Sequence, residues 1–372
     1  MLSYSTQLIS QDDIDVVVEV LKSSFLAQGP RVAEFESNLA QYVGVNYAVT
    51  FNSATSALQA AYNIAGIQEN DEIITTPISF VATSNMFVCA GAKPIWCDVK
   101  SDGNIDETKI EALITPNTKA IVPVDFAGKP VDIQVINSIA KKNNLLVIQD
   151  ASHALGSGIN NEKVGSFADM TIFSFHAIKP ITTSEGGAVL TNNKEYAEAL
   201  QLFRSHGIVK KELWNSDMIE MGYNLRMTEV AAALGSSQLK KLDAFIDKRN
   251  EIAHYFDVRF KDFALFKTQK VEDKQTTSRH LYPIILNAKL HSQKEAIFLE
   301  LQKQGLGVQV HYKPIYQNSF YQEKFGYISL TQAEEFYRSE ISIPCNQTMD
   351  MKDAQYVADT VLAIITQYSK AH

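Results

Sequence analysis

Three segments of the chain place residues with usable chemistry at the ends of apolar runs. The most specific runs from Ser174 to Ala188, where Lys179 follows the apolar stretch Met170–Phe175 and is bracketed by Pro180 and by Glu185-Gly186-Gly187. Only Glu185, beyond the turn, is near enough in sequence to pair with it. A lysine held in a loop at a strand end is easily desolvated, which lowers its pKa and makes it a usable amine nucleophile. Taken by itself, it reads as a surface lysine with its head in water. In the second segment, Val147 to Ala154, Asp150 closes a buried-looking strand. A carboxylate there is costly unless paired or hydrogen-bonded, though a cap for the next helix would also explain it. His153, considered alone, is a structural histidine. The third segment, Phe51 to Leu58, leads through Asn52-Ser53-Ala54-Thr55-Ser56 into an Ala/Leu-rich stretch. Free N–H groups and hydroxyls at such a helix start cradle a phosphate, or simply cap the helix.

Together the three segments narrow the chemistry. A phosphate cradle, a strand-end carboxylate and a constrained lysine are the minimum set for holding pyridoxal 5′-phosphate (PLP). The lysine would form the Schiff base, the aspartate would keep the pyridine nitrogen protonated, and the helix start would bind the phosphate.

Such a set needs a scaffold that brings strand ends together. Between residues 50 and 192, β-rich runs (Glu72–Thr75, Pro94–Val99, Ala120–Asp125, Leu145–Asp150, Met170–Phe175, Ala188–Thr191) alternate with helical stretches such as Thr55–Ala65 and Val135–Lys142. This predicts an α/β fold, a largely parallel sheet covered on both faces, with its ligand at the carboxyl ends of the strands. From 170 to 191 only a loop separates two strands, so a hairpin or antiparallel edge is expected there. Ile14, Val17, Val18 and Leu21 have the spacing of an amphipathic helix, with Asp12 and Asp13 at its positive end. Another helix is expected from a Thr228 cap toward Phe245, and a helical tail over Met351–Tyr368. At 372 residues the chain is long enough for two lobes. We place the boundary near 245, giving a large domain over 1–245 and a smaller α/β domain over 246–372, with the first 20 or so residues free to pack on the smaller one.

Composition removes several functions. The balance of 34 basic and 42 acidic residues gives a net charge of −8, and no basic run exceeds a pair. Nucleic acid and anionic membrane surfaces are therefore unsuitable partners. No apolar run is long enough to span a bilayer. The odd cysteines Cys89, Cys97 and Cys345 lack CxxC spacing, and the histidines form no HExxH, so neither a disulfide framework nor a metal is expected. A cytoplasmic enzyme is the expectation. A nicotinamide-dependent oxidoreductase would want GxGxxG, and the nearest stretch, Gly156-Ser157-Gly158-Ile159-Asn160-Asn161, lacks the third glycine.

Over essentially its whole length the sequence resembles the DegT/DnrJ/EryC1/StrS family of sugar-nucleotide aminotransferases. Thr75–Asn85, Asp102–Glu107, Ser174–Gly187, Phe203–Gly207 and Gly307–Tyr316 carry a closer similarity to its pseudaminic acid branch. The resemblance implies PLP-dependent fold type I, the aspartate aminotransferase-like architecture, and PLP as cofactor. It implies Lys179 as Schiff-base lysine and proton shuttle, Asp150 on the pyridinium nitrogen, and His153 near the ring's 3-hydroxyl side. Phe80 matches the aromatic stacked on the cofactor; Ala54, Thr55 and Ser174 match phosphate contacts. Asn224 (cofactor phosphate) and Arg226 (a clamp for a substrate carboxylate or phosphate) match residues supplied by the neighbouring subunit, which implies a homodimer with shared sites. His311 and Tyr312 match a small-lobe segment bordering the sugar-nucleotide site.

The implied reaction moves an amino group from L-glutamate to C4 of a UDP-linked 4-keto-6-deoxy-N-acetylhexosamine. The alternatives are another nucleotide 4-keto sugar, or a PLP-dependent sugar dehydratase. Dehydratases of the family carry histidine at the lysine position, so Lys179 favours transamination.

Overall fold

Met170–Ser174 and Gly187–Thr191 are rich in β-branched and aliphatic residues, and every side chain in them is buried, as strands covered on both faces must be. They belong to a seven-stranded sheet of β1 (Tyr47–Phe51), β2 (Glu72–Thr75), β3 (Lys93–Trp96), β4 (Thr118–Val122), β5 (Leu146–Asp150), β6 (Met170–Ser174) and β7 (Gly187–Thr191). The spatial order is β1-β7-β6-β5-β4-β2-β3. The computed structural model describes residues 1–370. All pairings from β6 to β3 are parallel. β7 runs antiparallel to both neighbours. The antiparallel strand expected at an edge therefore lies one place in from it, because β1, which the alternation pattern did not include, takes the edge.

Alternation along the strands divides the core. Ile73, Ala120, Val122 and Ile148 face one side, with Leu58, Ala61 and Phe87 from the covering helices. Ile74, Ile121 and Val147 face the other, with Ile133, Ile136 and Ala140. The helix Ala54–Ile64 starts where Ser53 Oγ accepts from Ser56 N at 3.1 Å, and its alanines let it lie close to the sheet.

A smaller antiparallel sheet (Phe266–Thr268, Tyr282–Leu286, Glu340–Ile343) carries the C-terminal lobe, flanked by the helices Lys294–Lys303 and Met351–Ser369. The single helix expected from Thr228 toward Phe245 is two helices, Glu229–Leu239 and Leu242–Phe260, broken at Lys240 and Lys241; Thr228 Oγ1 does cap the first, accepting from Ala231 N. Position 245 falls inside the second. Its start contributes Leu242, Phe245 and Ile246 to the large lobe's core, and Ile252, Phe256 and Phe260 enter the small lobe's.

The N-terminal segment contacts both lobes. Leu2–Ser3 pairs in parallel with Leu306–Gly307 of the small lobe. The helix Gln11–Leu21 packs on Glu229–Leu239 through Asp13, which takes a hydrogen bond from Gln238 Nε2 at 2.8 Å and an ion pair from Lys241 at 2.8 Å. The expected amphipathic stripe points outward: Ile14, Val18 and Leu21 are exposed. No helix among the described residues is long and apolar enough to cross a membrane.

Candidate active site

The ladder register gathers the three segments at the carboxyl ends of β1, β5 and β6. Ser174, Gly187 and Phe51 stand in one row across β6, β7 and β1. A Cβ on Gly187 would sit 2.5 Å from Ala54 N and 2.7 Å from the carbonyl carbon of Ser53, so only glycine lets the helix start approach so closely. Ala54 and Thr55 therefore present their N–H groups beside buried Ser174, and among the described residues neither N–H has an acceptor. That rim suits a phosphate.

Asp150 is buried at the tip of β5 with three donors on its carboxylate. Thr83 Oγ1 donates to Oδ2 at 2.6 Å; Ser152 Oγ and N donate to Oδ1 at 2.6 and 3.1 Å. It keeps free lone-pair directions for a further donor, the task asked of it by a protonated ring nitrogen.

Lys179 lies in the loop between β6 and β7. Thr183 N returns to Phe175 O at 2.9 Å, closing the loop at its base, and Lys179 N bonds His176 O at 3.0 Å at its tip. Among the described residues its amine makes no hydrogen bond or ion pair. Burial pushes its pKa down to about 8, with Asp150 pulling partly the other way. A lysine in that range supplies a neutral amine near neutral pH, as a nucleophile or base requires.

His153 is buried beside this pair. Its Nδ1 accepts from Ala127 N at 3.3 Å, and its Nε2 lies 3.3 Å from Tyr312 Oη. Burial, with Lys179 and His311 nearby, holds its pKa well below the usual range, so it is neutral. Tyr312 thus reaches into the large lobe's site from the small lobe, with its ring 6.4 Å from that of Phe80. Phe80 is 59% exposed, an aromatic face open to a flat ligand. His311 is turned inward instead: its ring bonds Ser342 Oγ at 2.8 Å and its N–H donates to Glu340 at 2.7 Å, so its side chain is committed to the small lobe. Asn224 is exposed and Arg226 half-buried, and among the described residues neither side chain has a hydrogen-bond partner. Asn52 N donates to Leu225 O at 2.8 Å, which ties their segment to the chain just before the cradle.

The structure adds two residues that sequence reasoning missed. Thr83 sits four residues after Ser79 on the helix following Phe80, and the two hydroxyls bond at 2.8 Å; that spacing was the available clue. His280 lies against His153 with ring centroids 4.5 Å apart and the rings tilted by 48°, and its Nδ1 has no partner among the described residues. Nothing near it in sequence marks it, because its neighbour is 127 positions away along the chain.

A family profile described as the DegT/DnrJ/EryC1/StrS aminotransferase family matches residues 7–362. The chain belongs to this family. It is 51% identical, over all of both chains, to a Campylobacter jejuni protein named UDP-4-amino-4,6-dideoxy-N-acetyl-β-L-altrosamine transaminase. Its fold matches Helicobacter pylori PseC, titled an aminotransferase involved in the biosynthesis of pseudoaminic acid, with a TM-score of 0.96, 46% identity and coverage of 98% and 99% of the two chains. A Streptococcus pneumoniae structure solved in its PLP form matches at a TM-score of 0.93 and 27% identity, covering 98% of each chain. The protein is thus a PLP-dependent sugar aminotransferase of fold type I. Its residues fit that cofactor: N–H groups unpaired among the described residues for the phosphate, an amine with no partner among them for the bond, and a carboxylate at a strand end.

Proposed function

We propose that this aminotransferase moves the amino group of L-glutamate to C4 of a UDP-linked 4-keto-6-deoxy-N-acetylhexosamine, giving UDP-4-amino-4,6-dideoxy-N-acetyl-β-L-altrosamine for pseudaminic acid synthesis. The name of the Campylobacter relative, at 51% identity over full length, supports the choice of sugar. The observation that carries the chemistry is Lys179, a desolvated amine that has no partner among the described residues and feels the strand-end carboxylate of Asp150.

Each residue then has a task. The N–H groups of Ala54 and Thr55, with Ser174 Oγ, hold the phosphate, and Phe80 covers one face of the ring. Asp150, held by Thr83 and Ser152, keeps the ring nitrogen protonated, and neutral His153 lies on the 3-hydroxyl side. When bound, PLP supplies an electron sink that loosens the hydrogen on the donor's Cα. Lys179 Nζ, as a free and neutral amine beside the donor's Cα, would take that proton. Tyr312 borders the sugar-nucleotide pocket between the lobes. His311 supports it by fixing the Gly307–Tyr316 segment to Glu340 and Ser342. Asn224 and Arg226 serve the site of a second copy in a homodimer, Asn224 at the phosphate and Arg226 at a substrate carboxylate or phosphate, for which its planar fork is suited. The domains divide through the helix Leu242–Phe260, near residue 245.

The test is an absorbance spectrum of the purified protein before and after L-glutamate. A visible band from lysine-bound PLP should convert to the pyridoxamine form, and the UDP-4-keto sugar should restore it. A protein that shows no band after incubation with PLP would remove this reading. A band that responds to glutamate but is restored only by another nucleotide keto sugar would overturn the substrate alone.

A further inference from the structure

The loop that carries Lys179 is almost self-contained. Its hydrogen bonds run within Ser174–Gly186, including Thr183 N to Phe175 O, Lys179 N to His176 O and Ser184 N to Thr182 Oγ1. Among the described residues, one hydrogen bond reaches residues 176–182 from elsewhere in the chain: Ser5 Oγ donates to Ile178 O at 2.8 Å. Ile178 is the residue before Lys179, so this bond fixes the peptide from which the lysine projects.

Ser5 is itself held on the other side. It is 2% exposed, and its hydroxyl accepts from Arg249 Nη2 at 3.1 Å. Arg249 is fully buried and has no carboxylate partner among the described residues; its Nη1 goes to the carbonyls of Arg279, His280 and Cys345, at 3.1–3.3 Å. A buried guanidinium with no carboxylate to neutralise it polarises the hydroxyl that accepts from it and strengthens that hydroxyl as a donor. Ser5 lies in a strap bonded to the small lobe by Leu2 N to Gly305 O, Tyr4 N to Gly307 O and Asn346 Nδ2 to Ser3 O, at 2.8–2.9 Å.

We propose that Ser5, backed by Arg249, is a positioning residue for Lys179, through which the small lobe sets where the catalytic amine stands. The inference rests on Lys179 being the cofactor-bonding amine. The amine is desolvated and feels Asp150, and its own charge bears on His153, His280 and His311, the titratable groups packed around it. Without the Ser5 bond the loop tip gains freedom and water, and the amine returns toward ordinary lysine behaviour.

The experiment compares wild type and Ser5→Ala, each as the full chain, by amide hydrogen exchange of the peptide 176–183 with and without PLP. The pH profile of Lys179 acetylation in the cofactor-stripped protein, read by mass spectrometry, is the second readout. In the variant, exchange should quicken about tenfold and the acetylation midpoint should move up from about 8 toward 10.5. The turnover number should fall about tenfold, the size of one hydrogen bond. A variant that melts earlier but keeps the wild-type exchange at 176–183 and the wild-type midpoint would overturn the proposal, since Ser5 would then be only structural. Failure of the underlying reading shows differently: wild-type Lys179 would acetylate as readily with PLP present as without it.

Discussion

Thr83 Oγ1 donates to Asp150 Oδ2 across 2.6 Å, from a helix that begins just after Phe80. The carboxylate proposed to face the ring nitrogen and the segment proposed to cover the ring's face are therefore tied together by one hydroxyl. Ser79 Oγ, 2.8 Å from Thr83 Oγ1, extends the chain of hydroxyls. Thr83→Val keeps the shape and removes the donor. One carboxylate oxygen is then left short of a partner, a loss of about 1–3 kcal/mol. PLP affinity, by spectral titration, and the turnover number should each fall about tenfold or more, with the far-ultraviolet spectrum unchanged. Wild-type values for both would show that Asp150 does not depend on Thr83.

Lys179 yields a prediction about stability as well as activity. Its folded pKa, near 8, lies below the ordinary 10.5. Below pH 8 the folded protein must hold a charge that burial disfavours, so the cost is fully present there. It is relieved as pH rises from 8 toward 10.5, because the unfolded chain still binds the proton in that window. Lys179→Met should abolish transamination. It should also raise the stability of the cofactor-free protein at pH 7 by on the order of 1–3 kcal/mol. Denaturant melts at pH 6.5 and pH 9.5 test the sign: the advantage must shrink at the higher pH.

Gly187 ties the phosphate rim to the sheet. In Gly187→Ala the new methyl carbon would meet backbone atoms of Ala54 and Ser53 at 2.5–2.7 Å, which no side-chain rotation relieves. The helix start must shift, at about 1–3 kcal/mol of overpacking. Affinity for PLP should drop at least tenfold, whereas affinity for pyridoxal, which lacks the phosphate, should change little. Equal losses for both ligands would mean that the cradle is not at Ala54–Thr55.

The parts of this site that could be read in the sequence are those whose partners are close along the chain or whose geometry follows from a strand end. Lys179 and Asp150 stand just beyond or at the ends of buried strands, and strand ends in such sheets face the ligand crevice. Thr83 and His280 act on residues far away in sequence, and periodicity carries no information about such pairs. Two other expectations left part of the arrangement open, for physical reasons. The stripe Ile14, Val18 and Leu21 predicted an apolar face, and the helix has one, but spacing does not say what covers it; inside this chain the helix is seated by buried Asp13 on Lys241 and Gln238. The helix after Thr228 divides at Lys240–Lys241 although no proline or glycine marks the break; both sides of it pack in the large lobe, and the second helix passes into the small lobe only from Ile252 onward.

The proposed homodimer makes a prediction that does not depend on knowing the sugar. If Arg226 completes the partner's site while Lys179 acts in its own chain, Lys179→Ala and Arg226→Ala proteins are each inactive alone. In a mixed dimer, one site takes its lysine from the Arg226→Ala chain and its arginine from the Lys179→Ala chain, so it is whole; the other site carries both defects. Unfolding and refolding the two variants together at equal concentration makes half the dimers mixed, each with one good site of two. About a quarter of the wild-type rate should return. If Arg226 instead serves its own chain's site, every site in the mixture lacks one residue and no activity returns. Sedimentation of the mixture would establish that dimers had formed, so that a lack of rescue would tell against sharing rather than against association.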